Sequence, residues 1–99
     1  MGRKQKELIS ALVDDMTVCV VCGRPREHVH HVIYGTANRK ISDTYQYVIP
    51  LCMEHHTGNT GIHNNRDMNV YWKQKAQRHF EQNHGTREDF IKTFGKSWL

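Results

Sequence analysis

The chain has 99 residues, of which 37% are hydrophobic, and carries a formal charge of +4 with histidine neutral. That length accommodates one core and excludes a second independently folding domain. No apolar run is long enough to span a bilayer, and a mean hydropathy of -0.74 leaves a thin core that needs reinforcing by a metal, disulfides or a partner.

Residues 4–16 place Leu8, Ile9, Leu12 and Val13 on one stripe, which predicts an amphipathic N-terminal helix. Residues 17–21 are rich in β-branched side chains and are broken by Gly23 and Pro25, the pattern of a short strand entering a tight turn. Val29–Tyr34 has strand composition, 35–44 is polar and reads as a loop, and Tyr45–Leu51 is the second strand of a hairpin, ended by Pro50. A short helix is expected from about Cys52 to just before Gly58, then a loop over 57–65. Asp67 is the expected N-cap of a helix over 68–83, with Trp72, Ala76 and Phe80 on its buried side and Gly85 as its stop. Thr86 and Asp89 form a capping-box pattern for a last helix over about 87–94, which buries Phe90, Ile91 and Phe94 and ends at Gly95. The expected fold class is therefore α+β: one domain over 1–99, with a core at 17–80 between an N-terminal and a C-terminal helix. No apolar stretch of signal-peptide length follows the basic segment Met1–Lys6, so the expected location is the cytoplasm.

The three cysteines, two of them in Cys19-Val20-Val21-Cys22-Gly23, argue for metal thiolates rather than a disulfide framework. Two thiolates at this spacing, followed by glycine, wrap one Zn²⁺ in a tight turn. Cys52 supplies a third, and His55 or His56 can complete the set, because positions i+3 and i+4 of a helix share a face with i. We take Cys19, Cys22, Cys52 and His55 as the structural zinc site, which leaves His56 free; a redox C-x-x-C is the competing reading. The remaining signal is the density of histidine, eight in all, including His28-Val29-His30-His31. The adjacent pair reads either as a hydrogen-bonded surface pair or as a metal ligand beside a general base. A phosphodiester nuclease needs both, a base to draw a proton from water and a metal to stabilise charge on the phosphate and leaving oxygen. Successive strand residues point to opposite faces, so a shared site requires the chain to twist or leave the strand there.

The order His30-His31 on a first strand, a loop, a second strand, then Pro50-Leu51-Cys52-x-x-His55-His56 resembles the HNH nucleases and their ββα-metal motif. With C-x-x-C-G ahead of it and Gly61-Ile62-His63 behind, the string looks most like their zinc-stapled branch and a small phage group of recombinase-dependent nucleases, the recombination enhancement function type. The likeness covers about residues 17–80. It implies a small ββα-metal core with structural Zn²⁺ and flanking helices, and a metal-dependent DNA endonuclease leaving 5′-phosphate and 3′-hydroxyl ends. It implies His31 as general base and His30 and His56 as ligands of a catalytic Mg²⁺ or another divalent cation. His63 is the candidate third ligand, although it lies seven residues beyond His56 across Gly58 and Gly61. The implied partners are DNA and a recombinase filament or another phage or host DNA-processing protein, in a bacterial cytoplasm. The central asparagine of the family has no counterpart near Tyr47; Asn38, Asp43 and Tyr47 are the candidate substitutes. Arg39, Lys40, Arg66 and Lys73, together with Lys75 and Arg78, are candidate phosphate contacts, and Tyr34, Tyr45 and Tyr47 candidate stacking platforms. Solvated charge and the strand propensity of tyrosine are the plainer readings, and His79 reads as a helix-surface histidine. A non-catalytic zinc module binding nucleic acid or protein would account for the cysteines and the charge, but leaves His30, His31, His56 and His63 without a task. A redox-sensing zinc switch rests on the thiols alone.

Overall fold

The computed structural model describes residues 9–34 and 38–99. Among these the order is β1 (His28–His31), α1 (Asn38–Tyr45), β2 (Val48–Leu51), α2 (Met53–His56), a 3₁₀ turn (Ile62–Asn64), α3 (Arg66–Asn83) and α4 (Arg87–Phe94). The fold is α+β. The strands form a two-stranded antiparallel sheet with His28 opposite Leu51 and His31 opposite Val48. Every residue of β2 is buried, so it reads as a continuous apolar run rather than an alternating one. Pro50 lies within this strand instead of ending it. Val32 N–H bonds to the Tyr47 carbonyl, which puts the Val29–Pro50 pair at a position where strand nitrogens face away from the partner. On its other side the Pro50 carbonyl accepts from Val20 N–H at 3.0 Å.

The core gathers Val32, Ile33, Tyr47, Ile49 and Leu51 from the sheet region, Ile62 from the 3₁₀ turn, Ala76 and Phe80 from α3, and Phe90 and Phe94 from α4. Cys19 and Cys52 belong to the same cluster, so the candidate zinc site grows directly out of the core. α4 has the expected capping box: Asp89 N–H donates to the Thr86 hydroxyl and Thr86 N–H to the Asp89 carboxylate. Gly95 closes the helix at φ 100°, a left-handed conformation that favours glycine.

Several expectations are corrected. Ile9–Met16 forms turns and not the helix expected over 4–16; residues 4–8 of that helix lie outside the described residues. The Ser10 hydroxyl accepts from Leu12 and Val13 N–H, and the Asp15 carboxylate from Thr17 N–H, so short polar side chains take the donors a helix would have used. Leu12 and Val13 still pack on the core. The segment 17–21 contributes an isolated Val18–Pro25 bridge rather than a strand. The first strand ends at His31, three residues short of Tyr34. The expected loop at 35–44 contains α1, while 35–37 are outside the described residues. α3 starts at Arg66, capped by Asn65, whose side chain accepts from Met68 N–H; Asp67 is already inside the helix. Ile91 is 39% exposed, on the outer side of α4.

α1 packs against both β1 and α4. Its carboxyl end is a Schellman closure, with Tyr47 N–H bonded to the Ser42 carbonyl, Gln46 N–H to the Asp43 carbonyl, and Gln46 left-handed at φ 63°. Ser42 is fully buried and its hydroxyl donates to the Ile33 carbonyl at 2.6 Å, which ties the helix to the chain just beyond β1. Ser42→Ala should leave that carbonyl unpaired and destabilise the protein by about 1–3 kcal/mol, read as a lower urea midpoint at unchanged slope. An unchanged midpoint would show that this hydrogen bond does not anchor α1.

Candidate functional site

Cys19, Cys22, Cys52 and His55 converge so that one donor atom from each lies within 4.8 Å of all the others. The turn between the first two is built by the backbone: Gly23 N–H bonds to the Cys19 carbonyl, Cys19 N–H to the Arg24 carbonyl, and Gly23 takes φ 78°. Cys52 sits at the junction of β2 and α2, and His55 is three residues on along α2. Cys22 Sγ is 3.8 Å from Cys52 Sγ, and His55 Nδ1 is 3.3 Å from Cys52 Sγ and 3.7 Å from Cys19 Sγ. A sulfur–sulfur separation of about 3.8 Å is the edge of a tetrahedron with zinc–sulfur distances of about 2.3 Å, and far exceeds the roughly 2.05 Å of a disulfide. The three cysteines are unbridged. The Arg24 backbone N–H, and more weakly the neighbouring donors, lowers the Cys22 thiol to about 6, towards the thiolate that a metal requires. The Cys₃His set fits a metal such as zinc.

His30, His56 and His63 form a second group, again with donor atoms within 4.8 Å of one another. His30 comes from β1, His56 from α2 and His63 from the 3₁₀ turn. The seven-residue offset from His56 to His63 is bridged by a loop pressed onto α2. A Cβ on Gly61 would stand 2.7 Å from the His56 carbonyl, and one on Gly58 would stand 2.6 Å from the Glu54 carbonyl. Glu54 accepts from Thr60 N–H and hydroxyl, and the Asn64 amide donates to the Gly58 carbonyl. His56 Nε2 and His63 Nε2 end 3.2 Å apart, the spacing of two nitrogens each about 2.0–2.1 Å from one ion. His30 Nε2 is buried with no hydrogen-bond partner, an orphan that a bound cation would satisfy. Burial, then the neighbouring His56 and His63, pushes His30 down to about 3, so its imidazole is neutral and has a lone pair to give at physiological pH. Three imidazoles are a donor set for borderline transition ions more than for Mg²⁺, which prefers oxygen.

His28, two residues before His30 on the same face of β1, meets His56 Nδ1 at 2.9 Å through its own Nδ1. That contact orients the His56 ring and leaves Nε2 facing His63. The sequence reading missed His28, although the period-two spacing from His30 was a usable signal. His31 Nε2 lies 2.8 Å from Asp43 Oδ1 on α1. Of the three candidate substitutes for the family asparagine, Asp43 alone bonds to His31: the Asn38 amide donates to the Phe94 carbonyl, and the buried Tyr47 hydroxyl bonds to His79. His79 is therefore a partner of the core tyrosine rather than a free surface histidine. Tyr45 and Tyr47 stack on each other, Tyr47 fully buried in the aromatic core and Tyr45 half-buried against it, and neither lines the histidine cleft.

One cleft of about 420 Å³ is lined by His30, His31, Tyr34, Arg39, His56 and His63, with Val29 at its base. His30 and His31 share it although they are consecutive, because β1 ends at His31. Of the expected phosphate contacts, Arg39 lines this cleft and Lys40 is exposed outside it. Arg66 is exposed at the start of α3, whereas Lys73 is 7% exposed, with Nζ 4.3 Å from the ring centroids of Tyr34 and Trp98.

The chain belongs to the family described as protein of unknown function DUF968. The family model matches residues 11–98, which include every residue of both histidine and cysteine groups. No curated protein and no solved structure matches the chain. No described helix is long and apolar enough to cross a membrane.

Adjacent residues of α2 belong to different groups, and this gives a sharp test. His55→Ala should lose bound zinc and lower the melting temperature, and Cys22→Ser should do the same, because metal affinity is folding energy here. His56→Ala should stay folded and keep its zinc. Metal analysis with thermal melts checks both; swapped outcomes would move the zinc ligand to His56.

Proposed function

We propose that this protein is a metal-dependent DNA endonuclease of the HNH type, built on a zinc-stapled ββα-metal core of β1, β2 and α2. The observation that carries the reading is the convergence of His30, His56 and His63 in one cleft with the His31–Asp43 pair. The antiparallel pair followed by a short helix is the order that the sequence resemblance implies.

The Asp43 carboxylate accepts the Nε2–H of His31, which leaves Nδ1 unprotonated and able to take a proton from water. Asp43 also stabilises the imidazolium that forms. The water oxygen then adds to phosphorus as the bond to the 3′ oxygen breaks. Arg39, exposed at the cleft, offers a guanidinium to the phosphate oxygens. His28 holds His56, and the Gly58–Gly61 loop holds His63, so the three imidazoles face one point before substrate arrives. A divalent cation bound by His30, His56 and His63 would supply Lewis-acid stabilisation of the phosphate charge and the departing oxygen. The net charge of +4 supports a polyanionic substrate. A recombinase filament or other DNA-processing protein as partner rests on the sequence resemblance.

Plasmid nicking tests the reading. Cleavage should require a divalent cation, with Mn²⁺, Co²⁺, Ni²⁺ or Zn²⁺ matching or exceeding Mg²⁺, and mild EDTA should abolish it while circular dichroism stays unchanged. His31→Ala should cut about 10²–10⁴-fold more slowly with its fold and zinc content intact. Folded, zinc-loaded protein that cuts no DNA with any of these metals would favour a non-catalytic zinc module.

A further inference from the structure

Beside the histidine cleft lies a second pocket of about 380 Å³, whose lining includes Tyr34, His63, Asn64, Arg66, Lys73 and Trp98. Tyr34 and His63 belong to both pockets. Lys73 is more than nine-tenths buried, yet its ammonium pairs with no carboxylate among the described residues. Its contacts are the faces of Tyr34 and Trp98, each 4.3 Å from Nζ. The Lys96 ammonium also lies 4.3 Å from the Trp98 ring centroid, and Arg66 opens onto the pocket. Desolvating one ammonium beside two further cations is costly without an anion.

The arrangement is built, not incidental. Trp98 is held over Lys73 by α3 itself: Trp98 N–H donates to Gln77 Oε1 at 2.7 Å, and the Gln74 amide donates to the Trp98 carbonyl at 2.8 Å. Gln77 is fully buried and also donates to Ser97. Tyr34 is held by the Asn69 amide, which donates to its hydroxyl at 2.9 Å. The same Tyr34 ring stands 5.3 Å from His63 and 5.7 Å from His30, centroid to centroid. A group bound at Lys73 is therefore one aromatic ring away from the metal-ligating histidines.

From the pocket and the two cations that line it we infer that Lys73 and Arg66 form a phosphate subsite that takes a backbone phosphate of the bound strand flanking the one in the histidine cleft. The inference rests on the nuclease reading for the identity of the strand, and on the pocket alone for its anion chemistry. The two aromatic faces hold the Lys73 ammonium in place, so it meets the strand already ordered. Arg66, exposed at the pocket, closes on the phosphate from solvent. Registering two successive phosphates would set which bond enters the cleft, without reading the bases.

The test uses full-length, zinc-loaded protein carrying His31→Ala, so that a fluorescent DNA oligonucleotide is bound and not cut. Lys73→Met, which keeps the buried stem, should weaken binding about tenfold and flatten the dependence of log K on log salt by about 0.7 for single-stranded and 0.9 for duplex DNA. A neutral methylphosphonate at the flanking position should weaken the Lys73 protein and leave Lys73→Met unaffected. Arg66→Gln, at an exposed position of the lining, should flatten the slope in the same way and decide the matter should Lys73→Met fail to fold. Unchanged slopes in both variants would overturn the subsite, and if the protein with His31 intact still nicks plasmid, the nuclease reading survives. Lost slope together with absent cleavage would keep the subsite and overturn the nuclease. Inorganic phosphate binding at Lys73 as tightly as the oligonucleotide would overturn the strand assignment in favour of a free-anion site.

Discussion

The orientation of one short helix governs everything else. α2 has four residues, far too few to hold a helical conformation by backbone hydrogen bonds alone. It is held from outside, on one side by the Cys₃His group and on the other by His28 and the Gly58–Gly61 loop. Consecutive residues on a helix are turned by about 100° from each other, so once His55 is fixed among the thiols, His56 has no choice but to face His30 and His63. The thiolate group thus does more than reinforce a thin core; it sets the angle at which an imidazole enters the cleft.

The two groups are kept apart by donor chemistry. Cys19 and Cys52 are 2% exposed and part of the core, which suits a closed site that holds its ion permanently. His63 is exposed, and the cleft it lines is open, which suits an ion that shares its coordination with water and substrate. Thiolates favour softer ions than imidazoles do, so a metal such as zinc would enter the Cys₃His group first. The buried Nε2 of His30 has no hydrogen-bond partner, and a bound cation would satisfy it.

The parts legible in the sequence are those in which a short-range pattern forces the geometry. Cys19, Cys22, Cys52 and His55 were readable because C-x-x-C-G and a C-x-x-H at a helix start admit few conformations, and Thr86 with Asp89 declared a helix start that the backbone then adopts. The segment 38–45 was not readable as a helix, because its apolar positions are Ile41 and Tyr45 in a polar stretch and its closure uses Gln46 at positive φ, a residue that carries no turn signal. The N-terminal stripe misled for the opposite reason. Its apolar residues do reach the core, but Ser10 and Asp15 supply local acceptors that a helix wheel does not count. His63 was named beside His56 only through the family resemblance, since its approach depends on two glycines lying against α2, a tertiary contact with no local spacing rule.

Asp43 shows how these failures are linked. Its bond to His31 exists because α1 is a helix, because Ser42 ties that helix to Ile33, and because the Schellman closure returns the chain to β2 immediately afterwards. A polar loop at 35–44 would offer both Asn38 and Asp43 to His31 with nothing to choose between them. As a helix, the segment commits Ser42 inward, and Asp43, one residue on, to the edge where His31 stands. The choice of Asp43 over Asn38 and Tyr47 is therefore made by the buried serine beside it rather than by any property of the carboxylate. The His31–Asp43 geometry is thus a consequence of packing, set foremost by Ser42 and Gln46.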